Sequence, residues 1–185
     1  MKFQTSLFVL ASVMASFGVL AQEPVMGVKD PESLFKDTNP QLNRNKQAAL
    51  HIMRELLQCN QWDRAGEWLT QAYHQHNPNA ASGLAGVVYY FTKVRKAKPV
   101  QNCGKLTSPV VAVVADGDLV TVMTPRTCID IPGLPCVSPQ RIEALGFAPA
   151  AGKKPKVYYT TWFDTWRFVD GKADEHWDPD RIRTR

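Results

Sequence analysis

Residues 157–178 read V-Y-Y-T-T-W-F-D-T-W-R-F-V-D-G-K-A-D-E-H-W-D, two extended-looking segments that meet at Asp170-Gly171. An Asp-Gly pair between such segments predicts a tight hairpin, because the turn requires positive φ and Gly accepts it. The first arm carries one carboxylate, Asp164, flanked by Trp162, Phe163 and Trp166. Side chains alternate faces along a strand, so Asp164, Trp166 and Phe168 fall on one side. On an outer face Asp164 would be solvated or paired with Arg167. On an inner face it would sit among aromatic rings, and that placement is the expectation. The hairpin register decides whether His176, or instead Glu175 and Trp177, joins this face, and sequence alone does not set the register.

Working back from the hairpin, residues 110–115 are a continuous apolar run, Asp116-Gly117-Asp118 is a turn, and 119–123 are its return. Residues 124–155, rich in Pro and containing Cys128 and Cys136, read as an insertion between the two hairpins, with helical turns at 139–145. Further upstream the period changes. Leu42, Ala49, Leu50, Met53, Leu56 and Leu57 recur at three- and four-residue spacing up to Asn60 and predict an amphipathic helix. A second helix is expected over 62–69 and a third over 83–95. Between them, Y-H-Q-H-N-P at 73–78 is a short strand or loop, since Pro78 biases Asn77 towards extended geometry. Three helices followed by two hairpins predict an α+β domain, with the helices packed on one face of a curved, mostly antiparallel sheet. The space between a curved sheet and its helices is the default place for a ligand pocket.

The 185 residues, 44% hydrophobic and 21% charged, have the make-up of one globular domain. Residues 1–21 differ in kind: Lys2, an apolar run over 7–20, and small residues at the −3 and −1 positions before Gln22. They predict a secretory signal peptide; an uncleaved anchor would need roughly 20 apolar residues to span a bilayer. The expected organisation is signal peptide 1–21, extended leader 22–41, domain 42–178 and charged tail 179–185, in an exported protein, periplasmic or secreted. The formal charge of +5 is spread over scattered Lys and Arg without interleaved aromatic rings, so no nucleic-acid partner is expected. Nor is a stable membrane span after cleavage. Export would place the four Cys where pairing is the default, and none has C-x-x-C spacing. A local Cys128–Cys136 bridge across a Pro/Gly loop would leave Cys59 with Cys103.

Three stretches, Y-H-Q-H-N-P (73–78), A-D-G-D-L-V (115–120) and F-D-T-W-R-F-V-D-G-K-A-D-E-H-W-D (163–178), resemble the nuclear transport factor 2-like superfamily. Within it, they resemble the SnoaL-like polyketide cyclases and their many relatives. The resemblance covers about 43–178; the export signal and the Cys-containing insertion depart from it. It implies a conical α+β barrel, commonly a homodimer through the sheet. It also implies proton transfer beside a ketone, without metal or organic cofactor. Asp164, in Asp-x-x-Arg-Phe, is similar to a pocket-lining acid of the ketosteroid isomerases. His176 and Asp178 match inward-facing strand positions. The acidic base of those isomerases falls near His76-Asn77, where this chain has no carboxylate.

Removing a proton beside a carbonyl needs a base, and the enolate oxygen that forms needs a hydrogen-bond donor. A carboxyl group desolvated by apolar walls can serve either purpose. The candidate catalytic residues are therefore Asp164 with His76 or His176 as its proton-sharing partner, and Tyr73, Trp166, Phe168 and Asp178 are candidates for holding substrate. His76 has a competing role as a helix cap. His74 and His76 with Asp178 could also form a metal site, but without a strong spacing signature. The expected function is isomerase, cyclase or aldol-type chemistry on a small hydrophobic carbonyl compound. The alternative is a non-catalytic ligand-binding or dimeric interaction module of the cell envelope.

Overall fold

The structure is a computed structural model that describes residues 23–131, 136, 138 and 156–180. The expected signal peptide, the helical turns expected at 139–145 and most of the charged tail lie outside the described residues.

Asn39 opens the first helix. Its Oδ1 accepts the backbone N–H groups of Gln41 at 2.9 Å and Leu42 at 3.2 Å, and Pro40 takes the first helical position. The side chain satisfies donors that lack intrahelical partners, and proline has no N–H to leave unpaired there. Helix α1 (Pro40–His51) continues into a π-helical stretch, Ile52–Gln58, and the chain then turns at Asn60, whose φ is 55°. Its apolar stripe is the one read from the sequence: Ala49, Leu50, Met53 and Leu56 are buried. Fully burying a residue such as Leu56 contributes roughly 1.5–3 kcal/mol. The second helix is shorter than expected. A 3-10 turn, Trp62–Arg64, precedes the single turn α2 (Ala65–Trp68), and Leu69 already begins a strand. Helix α3 (Leu84–Tyr89), extended by a π turn at Tyr90–Val94, completes the layer.

One five-stranded sheet lies against these helices. Its strands are β1 (Leu69–Gln75), β2 (Ala112–Asp116), β3 (Leu119–Ile129), β4 (Val157–Val169) and β5 (Lys172–Trp177), in the order β1-β5-β4-β3-β2. Every neighbouring pair is antiparallel except β1 with β5. The core forms where Leu56 and Val87 of the helical layer meet Val120, Val122, Trp166 and Ala173 of the sheet. The α+β architecture, helices on one face of a mixed sheet, is as expected.

Two boundaries differ. β3 continues through residues 124–129, which pair with β4 from Thr124↔Trp162 to Ile129↔Val157. The insertion therefore starts only after Ile129. Proline usually argues against a strand because it gives up a ladder donor, yet Thr124, Thr127 and Ile129 are good strand formers. The leader is also more than a surface cover. A 3-10 turn at Pro31–Phe35 drives Phe35 into the core at 0% exposure. The Val28 N–H bonds the Val110 carbonyl at 2.8 Å. Both expected disulfides, Cys59–Cys103 and Cys128–Cys136, are formed.

A buried charge braces the helical layer. Glu55 accepts from His51 Nδ1 at 2.6 Å and Trp68 Nε1 at 3.0 Å, and pairs with Arg64 at 2.9 Å. Burial works against its ionised form. The hydrogen bonds and the neighbouring positive charges outweigh it and leave the carboxyl below its ordinary pKa. A depressed carboxylate contributes stability above its unfolded value of about 4.3, and the contribution is lost as pH falls through the folded value. Glu55→Gln should therefore cost roughly 2 kcal/mol near neutral pH, as for hydrogen bonds to a charged group. Urea unfolding should show the gap between variant and parent closing as the solution is acidified below pH 4.

Candidate functional site

The site is decided in the closing hairpin. Asp170 (φ 49°) and Gly171 (φ 79°) make the turn, and pairing starts as Val169↔Lys172 and Phe168↔Ala173. The next pair is Arg167↔Glu175, so Asp174 is an extra residue in β5, a β-bulge. Thr70 Oγ1 donates to the Asp174 carboxylate at 2.6 Å and anchors it to β1. The bulge shifts the alternation by one. Ala173 faces the helices, Glu175 turns outward against Arg167 (3.1 Å), and His176 turns inward opposite Trp166.

A cavity of about 380 Å³ lies between sheet and helices. Its helical wall is mainly apolar, with Ile52, Met53, Leu56, Val87 and Phe91 and with Arg95 at its edge, and the sheet side supplies polar groups that include Tyr73, Gln75, Asn77, Arg126, Asp164, His176 and Asp178. His176 Nε2 lies 3.2 Å from Asp164 Oδ1 and 4.0 Å from Asp178 Oδ2, with side-chain exposures of 8%, 15% and 6% for the three residues. Asp164 Oδ1 also accepts the Trp162 indole N–H at 3.2 Å. Asn77 Nδ2 donates to Asp178 Oδ2 at 2.7 Å.

Gln75 fixes the proton on the imidazole. Its Oε1 accepts the backbone N–H of Asn77 at 3.0 Å, and a backbone N–H can only donate, so the oxygen end of the amide is assigned. The same oxygen lies 2.8 Å from His176 Nδ1, which must then carry a proton. Nε2 is left facing two carboxylate oxygens. The Nε2 to Asp164 contact is a hydrogen bond when the ring or the carboxyl carries a proton between them.

Tyr73 completes the floor. Trp166 Nε1 donates to its hydroxyl oxygen at 3.3 Å, which leaves the phenolic proton available to the cavity. Burial pushes the phenol well above its usual pKa. The Trp166 hydrogen bond opposes this, and the Asp164 and Asp178 charges add to it. Tyr73 therefore stays protonated and can donate its proton to an incoming oxygen.

Of the residues singled out from the sequence, Asp164, His176, Asp178, Tyr73 and Trp166 converge on this cavity. His76 does not. It lies half exposed on the opposite face, paired with Glu175 at 2.8 Å and stacked on Trp177 with ring centroids 5.3 Å apart. Alternation from the inward Tyr73 sends His74 and His76 outward and Gln75 and Asn77 inward. The weighed metal set of His74 and His76 with Asp178 is therefore not assembled. Phe168 is a core residue at 4% exposure and is not among the residues lining the cavity. Gln75, Asn77 and Trp162, which orient the site, were not singled out. Asp164, His176 and Asp178 could hold a metal ion, since one donor atom from each lies within 4.8 Å of the others.

No known family profile and no curated protein matches the chain. Among solved structures, it is similar to a protein described as a SnoaL-like polyketide cyclase from Jannaschia sp. CCS1. The identity is 16% and the TM-score 0.46, covering 78% of this chain and 91% of that one. A protein described as a polyketide cyclase from Acidithiobacillus ferrooxidans gives 18% identity and a TM-score of 0.44, over 77% and 89% of the two chains. Another, from Bacillus cereus, gives 13% and 0.43 over 86% and 87%.

The placement of the histidines makes a direct prediction. Under diethylpyrocarbonate, peptide mapping by mass spectrometry should find His74 and His76 modified many times faster than His176. Modification of His176 at the rate of His76 would contradict the inward register.

Proposed function

We propose that the protein is an acid/base enzyme that moves a proton beside the carbonyl of a small hydrophobic compound, the step common to isomerase, cyclase and aldol-type reactions. The observation that carries this reading is the Asp164–His176 contact, a proton-sharing pair on the polar side of a cavity whose helical side is mainly apolar. Asp164 takes the substrate proton, with Trp162 N–H bonded to the same oxygen. His176, held by Gln75, supplies or accepts the proton that Asp164 exchanges. Tyr73 donates to the carbonyl oxygen as negative charge builds there. A cavity of about 380 Å³ suits a compound of a few rings rather than a polymer.

We also propose export, for which the two disulfides are favourable, and no described helix is long and apolar enough to cross a membrane. Pairing of two copies through the outer sheet face, where Val114 and Phe163 are exposed, belongs to the same proposal.

Proton removal is measurable before the natural substrate is known. A panel of cyclic and aromatic ketones in D₂O, followed by NMR, should include members whose α-hydrogens exchange faster with the protein than without it. Asp164→Asn and His176→Gln should each slow that exchange about 10²–10⁴-fold, and Tyr73→Phe about 10²–10³-fold. Full exchange activity in Asp164→Asn would sink the assignment.

A further inference from the structure

We propose that Asp164, His176 and Asp178 form a binding site for one divalent transition cation of the zinc class, which takes the place of the shared proton. The argument starts from the tautomer. With Nδ1–H committed to Gln75 Oε1, the Nε2 lone pair of a neutral His176 faces Asp164 Oδ1 at 3.2 Å and Asp178 Oδ2 at 4.0 Å. Three largely buried acceptor atoms converge, and none of the three side chains supplies a donor unless a proton is added. Trp162 N–H and the Asn77 amide each give one carboxylate oxygen a donor, and the space between the three acceptors suits a cation. A proton satisfies one contact; a metal ion satisfies all three.

The spacing and the surroundings suit a metal. Atoms bound to one zinc-class ion at about 2.1 Å sit roughly 3–4 Å from one another, and both Nε2 edges fall in that range. One imidazole with two carboxylates is a donor set for borderline cations, not for the all-oxygen cages that select calcium or magnesium. Metal-bound imidazoles characteristically donate the other ring N–H to a fixed acceptor, and Gln75 already fills that position. Asn77 Nδ2 orients the Asp178 oxygen at 2.7 Å and Trp162 Nε1 the Asp164 oxygen at 3.2 Å. All three ligands line the cavity, so a water or a ligand oxygen could complete the coordination. The site overlaps the proposed acid/base pair. Metal binding needs only the three acceptors and stands whether or not the protein catalyses proton transfer.

The test uses untagged protein, stripped with chelator and dialysed. It is titrated with ZnCl₂ by calorimetry and with CoCl₂ by visible absorption, which reports coordination rather than surface adsorption. We expect one ion per chain. Binding should be lost in His176→Gln, weakened more than tenfold in Asp178→Asn and roughly 10–100-fold in Gln75→Leu, which keeps the ligands and removes their support. His76→Asn should bind as the parent does. Circular dichroism would confirm that each variant is folded. Absence of saturable binding would overturn the proposal, as would binding that survives in His176→Gln or follows His76. Ketone exchange in the stripped protein is read separately, so failure of either experiment leaves the other interpretable.

Discussion

One extra residue in β5, Asp174, decides which side chains of the last strand face the helices. Without it the alternation from Ala173 would carry Glu175 and Trp177 inward and leave His176 outside. With it, Glu175 meets Arg167 and His76 in a solvated network, and His176 meets Asp164. The bulge is held from both sides, by the antiparallel ladder to β4 and by the Thr70 hydrogen bond from β1. A bulge that re-aims a side chain into a pocket is a recurring device beside functional sites. Here it turns a hairpin that would bury a second aromatic ring into one that buries an imidazole.

The parallel pairing of β1 with β5 supplies the rest. It brings Gln75 and Asn77 beside His176 and Asp178, so that the imidazole and the Asp178 carboxylate each have an amide partner from the β1 side. Unpaired, such groups would cost several kcal/mol to bury. Paired, they are fixed in one orientation while the helical wall stays apolar. The cavity therefore has a greasy side that can hold a ligand body and a polar side that can act on it.

Much of this was legible in the sequence. The Asp170-Gly171 turn, the first-helix stripe and the β2–β3 hairpin follow from period and turn chemistry; the aromatic neighbours of Asp164 favoured its inward face over a solvated one, and the Pro/Gly loop between Cys128 and Cys136 suggested the local bridge that leaves Cys59 with Cys103. The bulge was not legible, because nothing in K-A-D-E-H-W marks Asp174 as the residue left unpaired. The place of His76 was legible and was missed. Strand alternation cannot put Tyr73 and His76 on one face, so choosing Tyr73 for the pocket already selected Gln75 and Asn77 over the histidines. Titratable side chains drew attention away from the amides that hold them. Phe168 failed differently. It shares a face with Asp164 but lies too near the hairpin turn to reach the cavity.

The central claim is the state of one ring: Nδ1 of His176 carries a proton held by Gln75, and Nε2 faces the carboxylates. Long-range ¹H–¹⁵N NMR on uniformly labelled protein at neutral pH reads both nitrogens directly. The account predicts a protonated Nδ1, in either the neutral Nδ1–H tautomer or the doubly protonated ring. A neutral ring protonated only at Nε2, with Nδ1 bare, would contradict it.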